Sequence, residues 1–166
     1  MKKKIYLFTD GSVNPQSKIG FGSYLFLDES LFFSSKQKNQ IKSKKFEDSS
    51  STKLELETLL WALDDESLQT NFWGDNFTLI IYTDCQNIIG LQKRREGFEK
   101  KKYLNSKAKL IKNHQLYKDF YKKIDSLECE FVKVKGHKKS SLKDKIDNIF
   151  TLVDKASREA LRSYLA

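Results

Sequence analysis

Long apolar runs are missing from this chain of 166 residues. The run Ile5-Tyr6-Leu7-Phe8 follows three lysines but stops at Thr9 and Asp10, too short for the apolar region of a secretory signal. No stretch approaches the about 20 apolar residues that a membrane-spanning helix needs. Cysteine is scarce too. Cys85 and Cys129 are far apart and lack metal-ligand spacing, which argues against a disulfide framework or a zinc site. They read as two free thiols of a reduced, cytoplasmic protein. No internal repeat and no linker divides the sequence, so residues 1–166 read as one domain.

What is present suits a packed globular domain. Apolar residues make up 39%, with 12 Phe and 7 Tyr, enough for a core without disulfides or a structural metal. The net charge of +9 points to a polyanionic partner, either nucleic acid or an anionic membrane surface.

The patterning predicts an α/β domain with a hairpin-rich first half, in the order β-β-β-α-β-α-α-β-α. Ile5 to Thr9 reads as a strand ended by the turn signal Asp10-Gly11-Ser12, and Gly20 to Leu27 as a second. Leu31 to Ser35 is the candidate third strand, paired through Asp28-Glu29-Ser30, with Lys36 to Ser50 as a loop or frayed hairpin end. Leucines at helical spacing run from Leu54 to Leu68, opened by a capping box of Thr52 and Glu55. Phe77 to Thr83 suits a central strand. A helix begins near Cys85, another spans Asn113 to Ile124, Glu128 to Lys135 reads as a strand, and Asp144 to Tyr164 as a final helix.

Three acids fall where a metal site can be built. Asp10 ends the first strand, Asp84 ends the Phe77 to Thr83 strand, and Glu55 lies in the first turn of the leucine-rich helix. Ligands in open α/β sheets gather outside strand ends. If the first and fourth strands are parallel neighbours, Asp10 and Asp84 lie side by side, and a helix across the sheet can add Glu55. Clustered carboxylates coexist when divalent cations neutralise them, and an all-oxygen set favours Mg²⁺ or Mn²⁺ over zinc. Such ions suit phosphate-ester chemistry. Taken singly, each acid has a plainer explanation: Asp10 as a turn residue, Glu55 as a capping acid, Asp84 as a helix cap.

The motifs resemble type 1 ribonuclease H. Tyr6-Leu7-Phe8-Thr9-Asp10-Gly11-Ser12-Val13-Asn14-Pro15 with Gly20-Phe21-Gly22 is similar to that family's first strand and glycine-rich hairpin. Lys53-Leu54-Glu55-Leu56 is similar to its catalytic-Glu segment, and Ile81-Tyr82-Thr83-Asp84-Cys85-Gln86 to its T-D-S-Q motif, with Cys85 in place of Ser. Val134-Lys135-Gly136-His137 and Val153-Asp154-Lys155-Ala156-Ser157-Arg158 complete the set in family order.

The resemblance implies a ribonuclease H-like fold: a mixed five-stranded sheet flanked by helices, with the second strand antiparallel to its neighbours. It also implies an endonuclease that cuts the RNA strand of RNA/DNA hybrids, leaving 5′-phosphate and 3′-hydroxyl ends. Asp10, Glu55, Asp84 and Asp154 would hold two Mg²⁺ ions, with Mn²⁺ as substitute, and His137 would assist proton transfer or product release. Asn14, Ser51, Thr52 and Gln86 match positions that contact nucleic acid. Family spacing from His137 lands near Asp147, a rival fourth ligand. Helical periodicity favours Asp154, at the margin of the face that carries Leu152, Val153, Ala156 and Ala160.

Between the motifs lies a basic segment at about 93–112. Lys93, Arg94, Arg95, Lys100, Lys101 and Lys102, then Lys107, Lys109 and Lys112, bracket Phe98 and Tyr103. It reads either as a solvated Lys-rich helix or as a phosphate-binding handle of the kind found in part of the family. A monomer with no membrane and no obligate protein partner is the expectation. A structure-specific nuclease of the same fold, or a silent nucleic-acid-binding relative, is the alternative.

Overall fold

The computed structural model describes residues 2–32, 34, 36–135, 139 and 144–166. Five strands form one sheet: β1 (Lys3–Asn14), β2 (Ile19–Leu27), β3 (Lys42–Phe46), β4 (Phe77–Thr83) and β5 (Cys129–Lys133). Their order is β3-β2-β1-β4-β5. β2 is antiparallel to both β1 and β3, while β1, β4 and β5 run parallel. The helices are α1 (Ser51–Leu63), α2 (Glu66–Gln69), α3 (Gln86–Ile89), α4 (Leu91–Lys100), α5 (His114–Asp125) and α6 (Lys145–Leu165). This is the mixed sheet flanked by helices that the motifs imply. Among the described residues, no helix is long and apolar enough to cross a membrane.

Period-two alternation divides the core between the two faces of the sheet. Ile5, Leu7, Leu79 and Ile81 point to one side, where Leu56 and Leu59 of α1 and Phe120 and Tyr121 of α5 cover them. Phe8, Leu25 and Leu27 point to the other, against Ile149, Phe150 and Val153 of α6.

Two expectations are overturned in the first half. Asp10-Gly11-Ser12 is not a turn, because β1 continues to Asn14 with Asp10 opposite Ser23 and Gly11 opposite Gly22. Of the span expected as the third strand, Leu31 to Ser35, the described residues 31, 32 and 34 are not in a strand. Leu31 closes a 3-10 turn, and Gln37 donates its side-chain amide to the carbonyls of Leu31 and Phe32, folding the chain back. The strand that pairs with β2 is Lys42–Phe46, inside the segment expected to be a loop. Its lysines line the sheet edge, where they discourage pairing with another chain.

The glycines of the hairpin allow α1 to lie close. A Cβ on Gly22 would sit 1.9 Å from Thr58 Oγ1, and one on Gly11 or Gly20 would sit 2.8 Å from Leu54 Cδ2. The cap of α1 is Ser50, which accepts from the Lys53 N–H at 3.3 Å, so Thr52 and Glu55 both lie inside the helix and do not form its capping box. The helix stops at Leu63, short of Leu68, and Asp65 restarts the chain as the cap of α2. Buried Asp65 also accepts from Tyr24 Oη at 2.5 Å and Lys42 Nζ at 2.9 Å, which ties α2 to β2 and the edge strand.

Two outcomes follow for stability. Gly22→Ala should cost about 1–3 kcal/mol, the range for overpacking. Gly11→Ala should cost less, because its Cβ would meet Leu54 Cδ2 at 2.8 Å, a milder overlap than the 1.9 Å at Gly22; urea unfolding of both variants checks the order. Burial alone would raise the Asp65 carboxyl, but the bonds from Tyr24, Lys42 and Ser67 outweigh it and hold the pKa at about 2. The stabilisation is therefore fully present above the unfolded carboxylate value of about 4 and fades as pH falls toward 2. Asp65→Asn should lose about 2 kcal/mol at pH 7, as for hydrogen bonds to a charged group. The gap to wild type should narrow between pH 4 and pH 2.

Candidate metal centre

The sheet register builds the site. Phe8 lies beside Tyr82 on the parallel neighbours β1 and β4, and the same register carried two residues further brings Asp10 level with Asp84. Leu54, seated on Gly11 and Gly20, delivers the next residue, Glu55, to the same point. One carboxylate oxygen from each of Asp10, Glu55 and Asp84 lies within 4.8 Å of the others. Asp10 is only 5% exposed.

Helix α6 closes the site from the opposite face. The buried Ser157 hydroxyl donates to the Asp10 carbonyl at 3.4 Å and to Val153 O at 3.1 Å, docking the helix on β1 beside the cluster. The Asp154 side chain is hydrogen-bonded to that of Asp10, and Arg158 Nη2 lies 2.9 Å from Asp154 Oδ2. Asp147 is engaged elsewhere. It closes a capping box with Asp144, its N–H donating to Asp144 Oδ1 at 2.9 Å and its Oδ2 accepting from the Asp144 N–H at 3.2 Å.

Burial, then the charges of Glu55 and Asp84, then the bond with Asp154 push the Asp10 carboxyl far above the ordinary carboxylate range. Burial and the charge of Asp84 raise Glu55 as well, against the lowering effect of bonds from Asp10 and the Gly11 N–H. Glu55 Oε2 is buried without a hydrogen-bond partner. An unpaired buried oxygen inside a group of mutually repelling acids is costly in protein alone and suits a divalent cation. The all-oxygen donor set fits Mg²⁺ or Mn²⁺.

Residues 2–161 match the family model for RNase H. The chain belongs to the RNase H family. No curated protein sequence matches it. Among solved structures it is similar to LC9-RNase H1, a type 1 RNase H with the type 2 active-site motif. That match has 14% identity and a TM-score of 0.66, over 96% of this chain and 74% of that one. It is also similar to a foamy viral protease-reverse transcriptase solved with dsDNA, at 12% identity and a TM-score of 0.61, over 93% of each chain. At these identities the likeness speaks for the fold.

The remaining expected positions of this RNase H-family chain surround the cluster unevenly. Ser51 and Thr52 open α1, and Gln86 opens α3. The Asn14 side-chain oxygen accepts from the Ser17 N–H and hydroxyl at 2.8 and 3.1 Å, which shapes the β1–β2 turn. His137 lies outside the described residues. Lys93, Arg94, Lys100, Lys101 and Lys102 are exposed and Arg95 is half-buried; Arg94 and Arg95 are also bound to other side chains. Three neighbours of the site escaped the sequence reading. Lys133 of β5 donates to Gln86 Oε1 at 2.7 Å, Ser157 anchors α6, and Arg158 pairs with Asp154. Ser157 and Arg158 stood inside a recognised motif, whereas Lys133 had no local signal.

In EDTA, Asp10→Asn should raise stability by about 1–2 kcal/mol, because one pKa unit is worth about 1.4 kcal/mol and the variant removes one of the clustered acids. Millimolar Mg²⁺ should raise the Tm of the wild type and leave that of the variant nearly unchanged; thermal scans with and without the ion check both.

Proposed function

We propose that this RNase H-family chain is an endoribonuclease that cleaves the RNA strand of RNA/DNA hybrids by metal-dependent hydrolysis. The trio of buried Asp10 and half-buried Glu55 and Asp84, with the unpartnered Glu55 Oε2, is the observation that carries the reading. Asp10, Glu55, Asp84 and Asp154 would hold two Mg²⁺ ions, or Mn²⁺ in their place, and such a pair when bound activates a water and stabilises the leaving oxygen. The water oxygen bonds to phosphorus as the bond to the 3′ oxygen breaks, which leaves 5′-phosphate and 3′-hydroxyl ends.

The chain's own residues orient and select. Ser157 holds Asp10 and α6 together, and the Leu54 contact keeps Glu55 against β1. Asn14, Ser51, Thr52 and Gln86 are the candidates to read the 2′-hydroxyl, the group that distinguishes RNA from DNA. His137 is the candidate to assist proton transfer or product release. The exposed lysines of α4 and the turn after it supply sequence-independent phosphate attraction. Nine of the 31 basic residues and only two of the 22 acidic ones fall at 93–112, so this segment holds most of the positive excess. We read residues 1–166 as one RNase H domain, acting as a monomer. Its free thiols, Cys85 and Cys129, suit the cytoplasm.

End-labelled RNA/DNA, RNA/RNA and DNA/DNA duplexes, incubated in Mg²⁺ and in EDTA, test the reading. Only the RNA strand of the hybrid should be cut, and only with metal. Asp10→Asn should lower the rate by at least about two orders of magnitude, as when transition-state charge stabilisation is removed. Tight hybrid binding with no cleavage in Mg²⁺ or Mn²⁺ would leave a silent binding relative in its place.

A further inference from the structure

Arg94 of the basic segment is exposed and is at the same time held by the fold. Its Nη2 donates to the Asn87 carbonyl at 3.0 Å and also to Asn87 Oδ1. Its guanidinium lies over Phe98 and Tyr117, 5.3 and 5.9 Å from the ring centroids, and those rings stack on each other at 5.2 Å. One end of the group, Nη2, is thus engaged by Asn87, and the guanidinium carbon lies near two aromatic rings. Asn87 lies three residues beyond Asp84, in the short helix that leaves the end of β4. Neighbouring Arg95 points elsewhere and forks onto Asp125 of α5 at 2.5 and 2.8 Å. Arg95 therefore ties α4 to the core, while Arg94 ties it to the turn that follows the carboxylate-bearing strand.

We propose that Arg94 is a positioning residue, a brace between α4 and Asn87 that sets where the exposed lysines of the basic segment lie relative to the Asp10–Glu55–Asp84 cluster, and not a phosphate contact. The inference rests on the hybrid-cleaving reading for its catalytic consequence, though not for the brace itself. A basic arm adds useful affinity only when its phosphate contacts and the reacting bond are in register. α4 spans about 15 Å at 1.5 Å per residue, so a small tilt at its base displaces the far lysines by several ångströms.

Two variants isolate the brace. Asn87→Ala removes the side-chain acceptor and leaves every basic residue in place. Arg94→Lys keeps the charge and loses the planar fork. In the free protein both should speed amide exchange in α4 relative to α5, a readout that needs no substrate. On a long hybrid that reaches the basic segment, both should raise KM about 3- to 10-fold with kcat little changed, the pattern of lost binding alignment. On a short hybrid confined to the carboxylates, neither should differ from wild type. The double variant should be no worse than Arg94→Lys alone, since the Oδ1 bond lost in Asn87→Ala is among the contacts that Arg94→Lys already disturbs. In EDTA, the dependence of log Kd on log salt should keep the wild-type slope in both.

The proposal is overturned if exchange in α4 is unchanged and Asn87→Ala binds long hybrid as wild type. It is also overturned if Arg94→Met lowers the salt slope by about 0.9, the signature of one lost phosphate contact, while Asn87→Ala has no effect. If the wild-type protein neither binds nor cuts hybrid, the functional reading fails, and the exchange measurement still decides the brace.

Discussion

Glu55 reaches Asp10 because α1 lies against a stretch of sheet that has no side chains in the way. Gly11, Gly20 and Gly22 present bare backbone to Leu54 and Thr58, and the helix settles into that space. The rest of the site depends on this approach. β1 and β4 supply two carboxylates through their parallel register, Asp10 from within β1 and Asp84 just past the end of β4. The third acid, brought down by α1, adds a further repelling charge to the group and leaves Glu55 Oε2 with no hydrogen-bond partner.

Binding energy from the fold holds together groups that repel. Apolar contacts on both faces of the sheet and the Ser157 hydroxyl fix the backbone around Asp10, so the acids cannot relax apart without unpacking α1 or α6. Such strain is common where a fold is organised around charge that a ligand neutralises. Arg158 bonds Asp154 at the margin of the cluster, and lysines gather on α4 and the turn beyond it.

Much of this was legible from the sequence, and the remainder was hidden for physical reasons. The short apolar runs of β1, β2 and β4 and the helical spacing of α1, α5 and α6 follow from which faces they bury, so pattern alone locates them. β3 buries almost nothing, and Lys42-Ser43-Lys44-Lys45 carries no such pattern. Asp10-Gly11 reads as a turn locally. Its actual role depends on Leu54, more than 40 positions away, a contact that no window of sequence contains. The box that caps α6, Asp144 with Asp147, did have a local signature, yet Asp147 drew attention as a rival ligand through spacing alone. Arg94 and Arg95 read as phosphate-seeking because sequence displays charge but not its partners, Asn87 and Asp125.

The central claim is that the carboxylate cluster exists to hold divalent cations. Anomalous diffraction from crystals soaked in Mn²⁺ tests it most directly. The account predicts Mn²⁺ bound among Asp10, Glu55, Asp84 and Asp154, with oxygen ligands at about 2.2 Å as expected for a hard cation. Mn²⁺ bound only elsewhere, with the Asp10 and Glu55 carboxyls still hydrogen-bonded to each other, would contradict it.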